Sequence, residues 1–496
     1  AVTSPNADVG GGIDAGSVVL VDRATGNEIG RVDGTSANER LGQFGIELRG
    51  TGNYFIRSPD ADPGGIADAG SVILADGAAG TEIGRLDGTD NGENLGIDVE
   101  LFSLFSDDII VISPDHNGTA GIVAQLAAED LGGGNIVRGS VGGAQGGDRV
   151  GSRGVLFPFF NDNYVVPAPD VGFGSTLEVG SVFIVEGSTA SLLNRLDGGV
   201  FGERLGENID TGFSFFSDDI TIRAPLHGGN NNGVLLFVDN QGNLVNSFTG
   251  NIDDEAGREQ PIVAANGNLI VPLPDADTGN ANAGAVVVLD GSSYNVLGRV
   301  DGQSDDEFFG DPANIEPFSL PDPGKFLVFS PFRATSGPGS DEGAVATIDA
   351  ATGSLVGEVF GQNPGDSLGE ITDIQVLSNG DFLLFNTSAF DAGGTLVNAG
   401  TVVLVDGATY TEKVGDGLGR TYGQSAQEAL GATRFVVERP NGNYFIQSPT
   451  ADPGAITDAG SLYLVDGTTG NLIGKADGDT GNELFSQTLD TFTLSL

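Results

Sequence analysis

The sequence predicts an all-β protein built from about nine copies of one four-stranded unit, and three observations support this prediction. The segment Ser58–Gly88 reappears almost unchanged as Ser448–Gly478. A small residue followed by proline recurs about every 55 residues along the chain. Between these positions lie short apolar runs separated by glycine-rich turns, and 81 of the 496 residues are glycine. Repetition at such a period is typical of repeat architectures.

The proline positions divide the whole chain into repeats. Eight repeats carry the proline, and a ninth, degenerate position lies near Ser388. Nine repeats of about 55 residues fill residues 1–496, so we expect a single repeat domain. The prolines are Pro5, Pro59, Pro114, Pro169, Pro225, Pro274, Pro331 and Pro449.

Each repeat contains four strand-like segments, which the second repeat illustrates. Phe44–Gly50 and Thr81–Gly88 alternate apolar and polar residues, as half-buried strands do. Asn53–Pro59 follows the first of these after a tight turn, and Gly70–Gly77 is a continuous apolar run typical of a strand buried on both faces. No segment predicts an amphipathic helix. Type I′ hairpin turns are favoured at three Asn-Gly pairs: Asn266–Gly267, Asn379–Gly380 and Asn441–Gly442.

Four antiparallel strands repeated at this period predict a β-propeller of about nine four-stranded blades. A single blade cannot bury both faces of its sheet, so neighbouring blades must stack. The chain starts with AVTSPNAD, which matches a second strand, and ends with LDTFTLSL, which matches a first strand. We therefore expect Leu489–Leu496 to pair with the N-terminal strand and close the array. Donation of this strand to a second copy is the alternative.

Each repeat also carries an FG-like pair, a GAP-like tail and an apolar strand. Examples are EFFGD at Phe309–Gly310, ERLGE at Leu205–Gly206 and APDVGFGSTLEVGSVFIV from Ala168. The pattern resembles the FG-GAP repeats of integrin alpha-subunit propellers, and it is similar to bacterial secreted repeats of the form NGNYVV-SP-AGSV. The resemblance implies an extracellular adhesion or scaffold role. The calcium loop of FG-GAP repeats is replaced here by tight turns, so that site does not carry over.

The amino-acid composition makes several classes of partner and site improbable for this protein. The 69 acidic and 21 basic residues give a formal net charge of -48, which disfavours nucleic acid and anionic lipid as partners. The absence of cysteine excludes disulfides and thiol nucleophiles. No apolar run is long enough for a membrane helix, so no membrane insertion is expected. The missing initiator methionine suggests a processed, secreted or cell-surface protein.

The loop after each proline is rich in carboxylates, which predicts calcium as the cofactor. Calcium takes six to eight oxygen ligands, and spaced Asp and Asn side chains with loop carbonyls supply them. The alternative is that these side chains only form Asx-turns. The candidate metal ligands are Asp8, Asp14, Asp60, Asp62, Asp68, Asp275, Asp277, Asn282, Asp452 and Asp458.

The sequence offers little for catalysis, so we expect a protein that is not an enzyme. His116 and His227 are the only histidines, occupy the same repeat position and are interpreted as loop residues without a metal. Glycoside hydrolysis needs one particular pair of carboxylates, but the carboxylates here recur at the same positions in most repeats, so no single pair stands out. A polysaccharide-active enzyme is the third-ranked function.

The leading hypothesis is a secreted, non-enzymatic structural or scaffold protein that self-associates into an extracellular or cell-surface assembly, such as a filament or layer. The alternative is an adhesin or propeller that binds a protein or glycan ligand, which should present aromatic side chains at one rim. Two aromatic clusters occur, although blade packing explains them equally well: Phe157, Phe159 and Phe160, and Phe213, Phe215 and Phe216.

Overall fold

The computed structural model describes most of the chain. The described residues are 1–101, 107–156, 159, 163–172, 178–211, 219–228, 230–317, 320, 322–337, 339–370, 374–413, 419–434 and 436–486.

The described residues form nine antiparallel sheets, seven with four strands and two with three. Sheet 1 contains β1 (Val2–Ser4), β2 (Ser17–Val21) and β3 (Glu28–Asp33). Sheet 2 contains β4 (Ile46–Leu48), β5 (Tyr54–Ser58), β6 (Ser71–Ala75) and β7 (Glu82–Asp87). Sheet 3 contains β8 (Asp98–Leu101), β9 (Ile109–Ser113), β10 (Ile122–Leu126) and β11 (Val137–Gly142). Sheet 4 contains β12 (Tyr164–Ala168), β13 (Ser181–Val185) and β14 (Leu192–Asp197).

The remaining sheets follow the same order. Sheet 5 contains β15 (Asn208–Thr211), β16 (Ile220–Ala224), β17 (Val234–Val238) and β18 (Leu244–Thr249). Sheet 6 contains β19 (Ile262–Val263), β20 (Leu269–Leu273), β21 (Ala285–Leu289) and β22 (Val296–Asp301). Sheet 7 contains β23 (Ile315–Glu316), β24 (Lys325–Ser330), β25 (Ala344–Asp349) and β26 (Leu355–Phe360). Sheet 8 contains β27 (Ile374–Val376), β28 (Phe382–Asn386), β29 (Thr401–Val405) and β30 (Arg420–Tyr422). Sheet 9 contains β31 (Val436–Glu438), β32 (Tyr444–Ser448), β33 (Ser461–Val465) and β34 (Leu472–Asp477).

The all-β prediction is confirmed. Helical structure in the described ranges amounts to one turn at His116–Thr119 and 3-10 turns at Pro63–Gly65, Pro312–Asn314 and Pro453–Ala455. No helix among these residues has the length and apolar character needed to cross a membrane. No sheet closes on itself within the described ranges.

The second repeat shows why these strands form. In β5, Phe55 packs on one side of the sheet while Tyr54 and Ile56 pack on the other, as the alternation of side chains in a strand requires. All five residues of β6 are buried. The four strands predicted for this repeat are confirmed, each shorter than the pattern that predicted it.

The predicted turn type at the Asn-Gly pairs is wrong. A type I′ turn needs positive φ at both central residues. Gly267 has φ +86°, but Asn266 is not among the residues with positive φ. The Gly267 N–H donates to Ala264 O, so the loop has three residues, in which a type I turn is followed by a left-handed glycine. Gly380 and Gly442 repeat this arrangement.

The chain forms two compact units. The first contains Ala1–Gly212, Phe216–Asn230 and Val234–Ser247, and the second contains Phe213–Phe215, Asn231–Gly233 and Phe248–Leu496. Inside the first unit, separate apolar cores lie between sheets 1 and 2, 2 and 3, 3 and 4, and 4 and 5. Inside the second unit, such cores lie between sheets 6 and 7, 7 and 8, and 8 and 9. The single-domain organisation stays a prediction.

Candidate functional site

One acidic residue per repeat occupies the loop that follows the last strand of each sheet. We call these residues the linking acids. Eight of them are buried, and the ninth, Glu483, is exposed. Burial of a carboxylate is costly unless the group is fully hydrogen-bonded, so this series requires a structural explanation. The linking acids are Glu39, Glu93, Asp148, Glu203, Asp254, Glu307, Asp366, Glu428 and Glu483.

One carboxylate oxygen of each linking acid closes its own loop. In sheet 1, Glu39 Oε2 accepts the backbone N–H groups of Thr35 at 2.6 Å and Ser36 at 2.9 Å. The acids at 93, 148, 203, 307, 366, 428 and 483 accept the same two N–H groups, three and four residues earlier. Asp254 accepts one, from Asn251. A tight loop leaves some backbone N–H groups without a backbone acceptor, and the carboxylate of the acid accepts their hydrogen bonds instead.

The other oxygen reaches the next sheet along the chain. Ser58 Oγ, at the end of β5, donates to Glu39 Oε1 at 3.0 Å. Ser113 Oγ, at the end of β9, donates to Glu93 Oε1 at 2.9 Å. Next to the bond between Ser58 and Glu39, a second hydrogen bond joins the same two sheets: Ser36 Oγ accepts the Asp62 N–H at 3.0 Å. Each link thus joins the loop that follows one sheet to the next sheet along the chain.

The donor differs from one link to the next. Backbone N–H groups donate to two of the acids, Gly172 to Asp148 and Phe390 to Asp366. The other donors are side chains: His227 for Glu203, Arg299 for Asp254, Arg333 for Glu307 and Tyr463 for Glu428. Since a charged or hydroxyl donor meets a buried carboxylate, these bonds are of the stronger, charge-assisted kind.

The two histidines belong to this series. His116 Nδ1 lies 2.7 Å from Glu93 Oε1, and His227 Nδ1 lies 2.7 Å from Glu203 Oε1. The hydrogen bond to Glu93 raises the pKa of His116 despite burial. Burial raises the pKa of Glu93, but the hydrogen bonds from His116, Thr89 and Ser113, with the charge of His116, together outweigh burial and leave that pKa below its usual range. The interpretation of both histidines as mere loop residues is wrong, because each binds the acid of the preceding sheet.

The predicted calcium ligands lie in pairs inside the loops after the prolines. In four repeats the first residue of the pair accepts the N–H of the second, which has positive φ. The bonds are Asp14 N to Asp8 Oδ1 at 2.9 Å, Asp68 N to Asp62 Oδ1 at 2.7 Å, Asn282 N to Asp277 Oδ1 at 2.7 Å and Asp458 N to Asp452 Oδ1 at 2.7 Å. The first carboxylate thereby fixes the loop, but each bond spans five or six residues and is therefore longer than an Asx-turn, in which the side chain binds the backbone two residues on.

The two remaining candidates have other neighbours. Asp275 forms an ion pair with Arg258. Burial, and then the nearby charge of Asp68, raises the pKa of Asp60. Across the described ranges no group of three or more His, Asp or Glu side chains is arranged to hold a metal ion. Calcium binding by these loops stays a prediction.

Of the aromatic clusters, only Phe159 lies in the described residues. It is buried in the core between sheets 4 and 5, as blade packing expects. Phe157, Phe160, Phe213, Phe215 and Phe216 lie outside the described residues.

The linking acids have a sequence signal that the proline, FG-like and GAP-like motifs do not include. A glycine stands five residues before eight of the nine acids, as in DGTSANE at 33–39 and DGQSDDE at 301–307, and four residues before Asp254. The alternation of Asp and Glu and the uneven repeat length hide the period.

Comparison with known proteins adds a partial match. A family model described as a repeat of unknown function (DUF5650) matches residues 49–85 and 439–475. These segments span β5 to the middle of β7 in sheet 2 and β32 to the middle of β34 in sheet 9. Neither FG-GAP repeats nor the bacterial secreted repeats are identified.

No curated protein matches the chain significantly. Among solved structures, a eukaryotic initiation factor is similar at 10% identity with a TM-score of 0.28, covering 90% of each chain. The computationally designed Ika8 protein is similar at 17% identity with a TM-score of 0.25, covering 75% of this chain and 85% of that one. Similarity this low supports no conclusion about function.

Proposed function

We propose that the protein is a secreted, non-enzymatic structural subunit of an extracellular or cell-surface assembly, such as a filament or layer. The observation that carries this proposal is that eight linking acids are buried and bound between sheets. Carboxylates held in this way stabilise the array and are not accessible to a substrate. The net charge of -48 keeps such an array soluble in a crowded, cation-rich medium.

We also propose that the nine sheets are the blades of a β-propeller. The repeated four-stranded sheets and the apolar cores between consecutive sheets of each unit support this arrangement. Closure of the blades into a ring by Leu489–Leu496 stays a prediction, since that segment lies outside the described residues. An open array, in which sheets 1 and 9 do not cover each other within one chain, is the alternative. The resemblance to FG-GAP repeats supports the extracellular setting, and calcium bound in the Asp-rich loops would fit it.

A cavity in the second unit favours one alternative, a glycan-binding adhesin. The cavity has a volume of about 440 Å³ and is lined by Phe308, Phe332, Asp305, Asp306 and Asp341, among others. Phe332 is half exposed. An apolar wall with a few polar groups is the usual composition of a small-molecule site. The aromatic faces and carboxylates here suit a sugar ring and its hydroxyl groups.

Electron microscopy of native material tests the proposal. Antibodies against the chain should label ordered filaments or layers on the surface of the producing cells. A glycan array probes the alternative, with Phe332→Ala as the binding-deficient variant. A protein found only as single particles inside cells would contradict the structural role.

A further inference from the structure

Sheets 1 and 9 each pack against one consecutive sheet, and their other faces carry two matching halves of the contact that joins consecutive sheets. The head face is the outer side of sheet 1, with Ser4, Val19 and Val21. The tail face is the outer side of sheet 9, with Phe445, Leu462, Leu464 and Glu483. We propose that the tail face of one copy binds the head face of a second copy, so that copies associate head to tail.

The tail face is defined by comparison with sheet 2, to which it is equivalent at an offset of 390 residues. In sheet 2, Phe55, Val72 and Leu74 are fully buried against sheet 3. Their equivalents Phe445, Leu462 and Leu464 are only partly buried. They lie on the side of sheet 9 opposite Tyr444 and Tyr463, which pack against sheet 8. The tail face is therefore an interior surface without its usual cover.

The linking acid of sheet 9 shows the same departure. Glu483 is the equivalent of Glu93 and accepts the N–H of Asp479 at 3.0 Å and of Thr480 at 3.3 Å. Its loop is thus built like seven of the other eight, yet its side chain is exposed and Oε1 has no partner among the described residues. Phe485 is partly exposed as well, whereas Leu95 at the equivalent position is buried. The acid is placed for a donor that a following sheet would supply.

The head face supplies the complementary groups. Ser4 is the equivalent of Ser58, which donates to Glu39, and Ser4 is exposed. Val19 and Val21 are the equivalents of Ile73 and Ala75, which are fully buried against sheet 1, and both are only partly buried. Val2 pairs with Val19 across the strands and is 57% exposed. Sheet 1 therefore presents to solvent the side by which sheet 2 contacts its predecessor.

The repeated contacts predict which atoms meet between copies. By analogy with Ser58 and Glu39, Ser4 Oγ of one copy donates to Glu483 Oε1 of the other. Ser36 Oγ accepts the Asp62 N–H, so Thr480 Oγ1 should accept the Asp8 N–H. Neither contact involves Leu489–Leu496. A contact between two different faces is heterologous, so it propagates into a filament unless rotation closes a ring.

Two blocking variants test this inference, which deepens the proposed structural role and rests on it and on the open form of the array. Val19→Asp blocks the head face and places its carboxylate opposite Arg31 in the same sheet, which limits any loss of stability. Leu464→Asp blocks the tail face. The control is Leu48→Asp, at a position that is 71% exposed and on neither face. Analytical ultracentrifugation measures the size of the assemblies. The measurement is made at high salt, which screens the repulsion between the acidic copies.

We expect the wild type and the Leu48→Asp variant to form oligomers whose mean size grows with concentration, while each blocking variant stays monomeric. An equimolar mixture of the two blocking variants should form dimers and nothing larger, because only one free head and one free tail remain. Glu483→Gln should weaken association about tenfold, since a charge-assisted bond is lost.

Two results would overturn the inference. If the wild type stays monomeric and both blocking variants melt at lower temperature, the two faces cover each other within one chain. If both blocking variants still assemble, other surfaces are responsible, and the structural role stands without this contact. Circular dichroism spectra that match the wild type confirm that the variants fold.

Discussion

Removal of the Arg333 guanidinium should destabilise the second unit by about 3–5 kcal/mol. Arg333 Nη1 donates to Glu307 Oε1 at 2.8 Å, and the Glu307 side chain is fully buried. The Arg333 side chain is 7% exposed. When one partner of a buried ion pair is removed, the other remains as an uncompensated charge, which costs about 3–5 kcal/mol. Arg333→Ala thus measures what one link between sheets contributes.

A surface arginine of the same unit provides the matched control. Arg258 pairs with Asp275 and Glu255, but its side chain is 51% exposed. Exposed ion pairs contribute about 0–1 kcal/mol because water solvates both groups and salt screens them. Arg258→Ala removes the same chemical group as Arg333→Ala, so the difference in unfolding free energy between the two variants measures the effect of burying the ion pair.

Thermal unfolding followed by circular dichroism is the assay. For a unit of this size, 1 kcal/mol shifts the Tm by about 2–4 °C. Arg333→Ala should therefore lower the Tm by roughly 6–20 °C, and Arg258→Ala by about 4 °C at most. Adding Glu307→Gln to Arg333→Ala should recover part of the loss, since an amide needs no counter-ion. Equal shifts below about 4 °C for both alanine variants would refute the reasoning.

Three further predictions concern other parts of the repeat. The raised pKa of His116 contributes stability that is complete below the unfolded pKa of about 6.5 and is lost as the pH rises from there through the raised pKa of the folded state. The lowered pKa of Glu93 contributes stability that is lost as the pH falls through that lowered pKa. A pH series of Tm should therefore show His116→Gln flattening the alkaline side. Gly284→Ala should cost about 1–3 kcal/mol more than Gly279→Ala in urea unfolding, because both have positive φ but only at Gly284 would a Cβ lie 2.2 Å from a backbone oxygen. Chelation of calcium at constant ionic strength should lower the Tm if the loops hold calcium. Asp62→Asn keeps the acceptor for the Asp68 N–H and should remove the part of this Tm decrease that comes from the second repeat. An unchanged Tm on chelation contradicts the calcium prediction.

The strands could be predicted from the sequence because their cause is local. The strand Ser71–Ala75 is buried on both faces, so its sequence is a continuous apolar run and does not alternate apolar and polar residues. The first strands were harder to delimit. Ile262–Val263 and Ile315–Glu316 are only two residues long, since pairing stops where the chain turns into the loop, and the residue pattern continues beyond that point.

The links between sheets could not be predicted in the same way. Glu39 and Ser58 belong to different repeats, and their contact depends on how two loops face each other after the sheets have packed. A single sequence shows an acid in an acidic loop, which is ordinary in a chain with 69 Asp and Glu residues. The histidines were misinterpreted for the same reason, because the partner of His116 lies 23 residues earlier in another sheet's loop.

The donor to the linking acid differs even between the two most similar sheets. Sheets 2 and 9 are so similar that they could compete for the same place, but Glu428 binds Tyr463 Oη, and Ile73 occupies the equivalent position in sheet 2. With Tyr463 in place, the buried Ser448 Oγ has no partner, although its equivalent Ser58 binds the preceding acid. In the place of sheet 9, sheet 2 would still offer Ser58 Oγ to Glu428, so the carboxylate would keep a donor and lose only the bond from Tyr463 Oη. The constant acid therefore accepts several donors: it stabilises each junction between sheets without by itself specifying the order in which the sheets assemble.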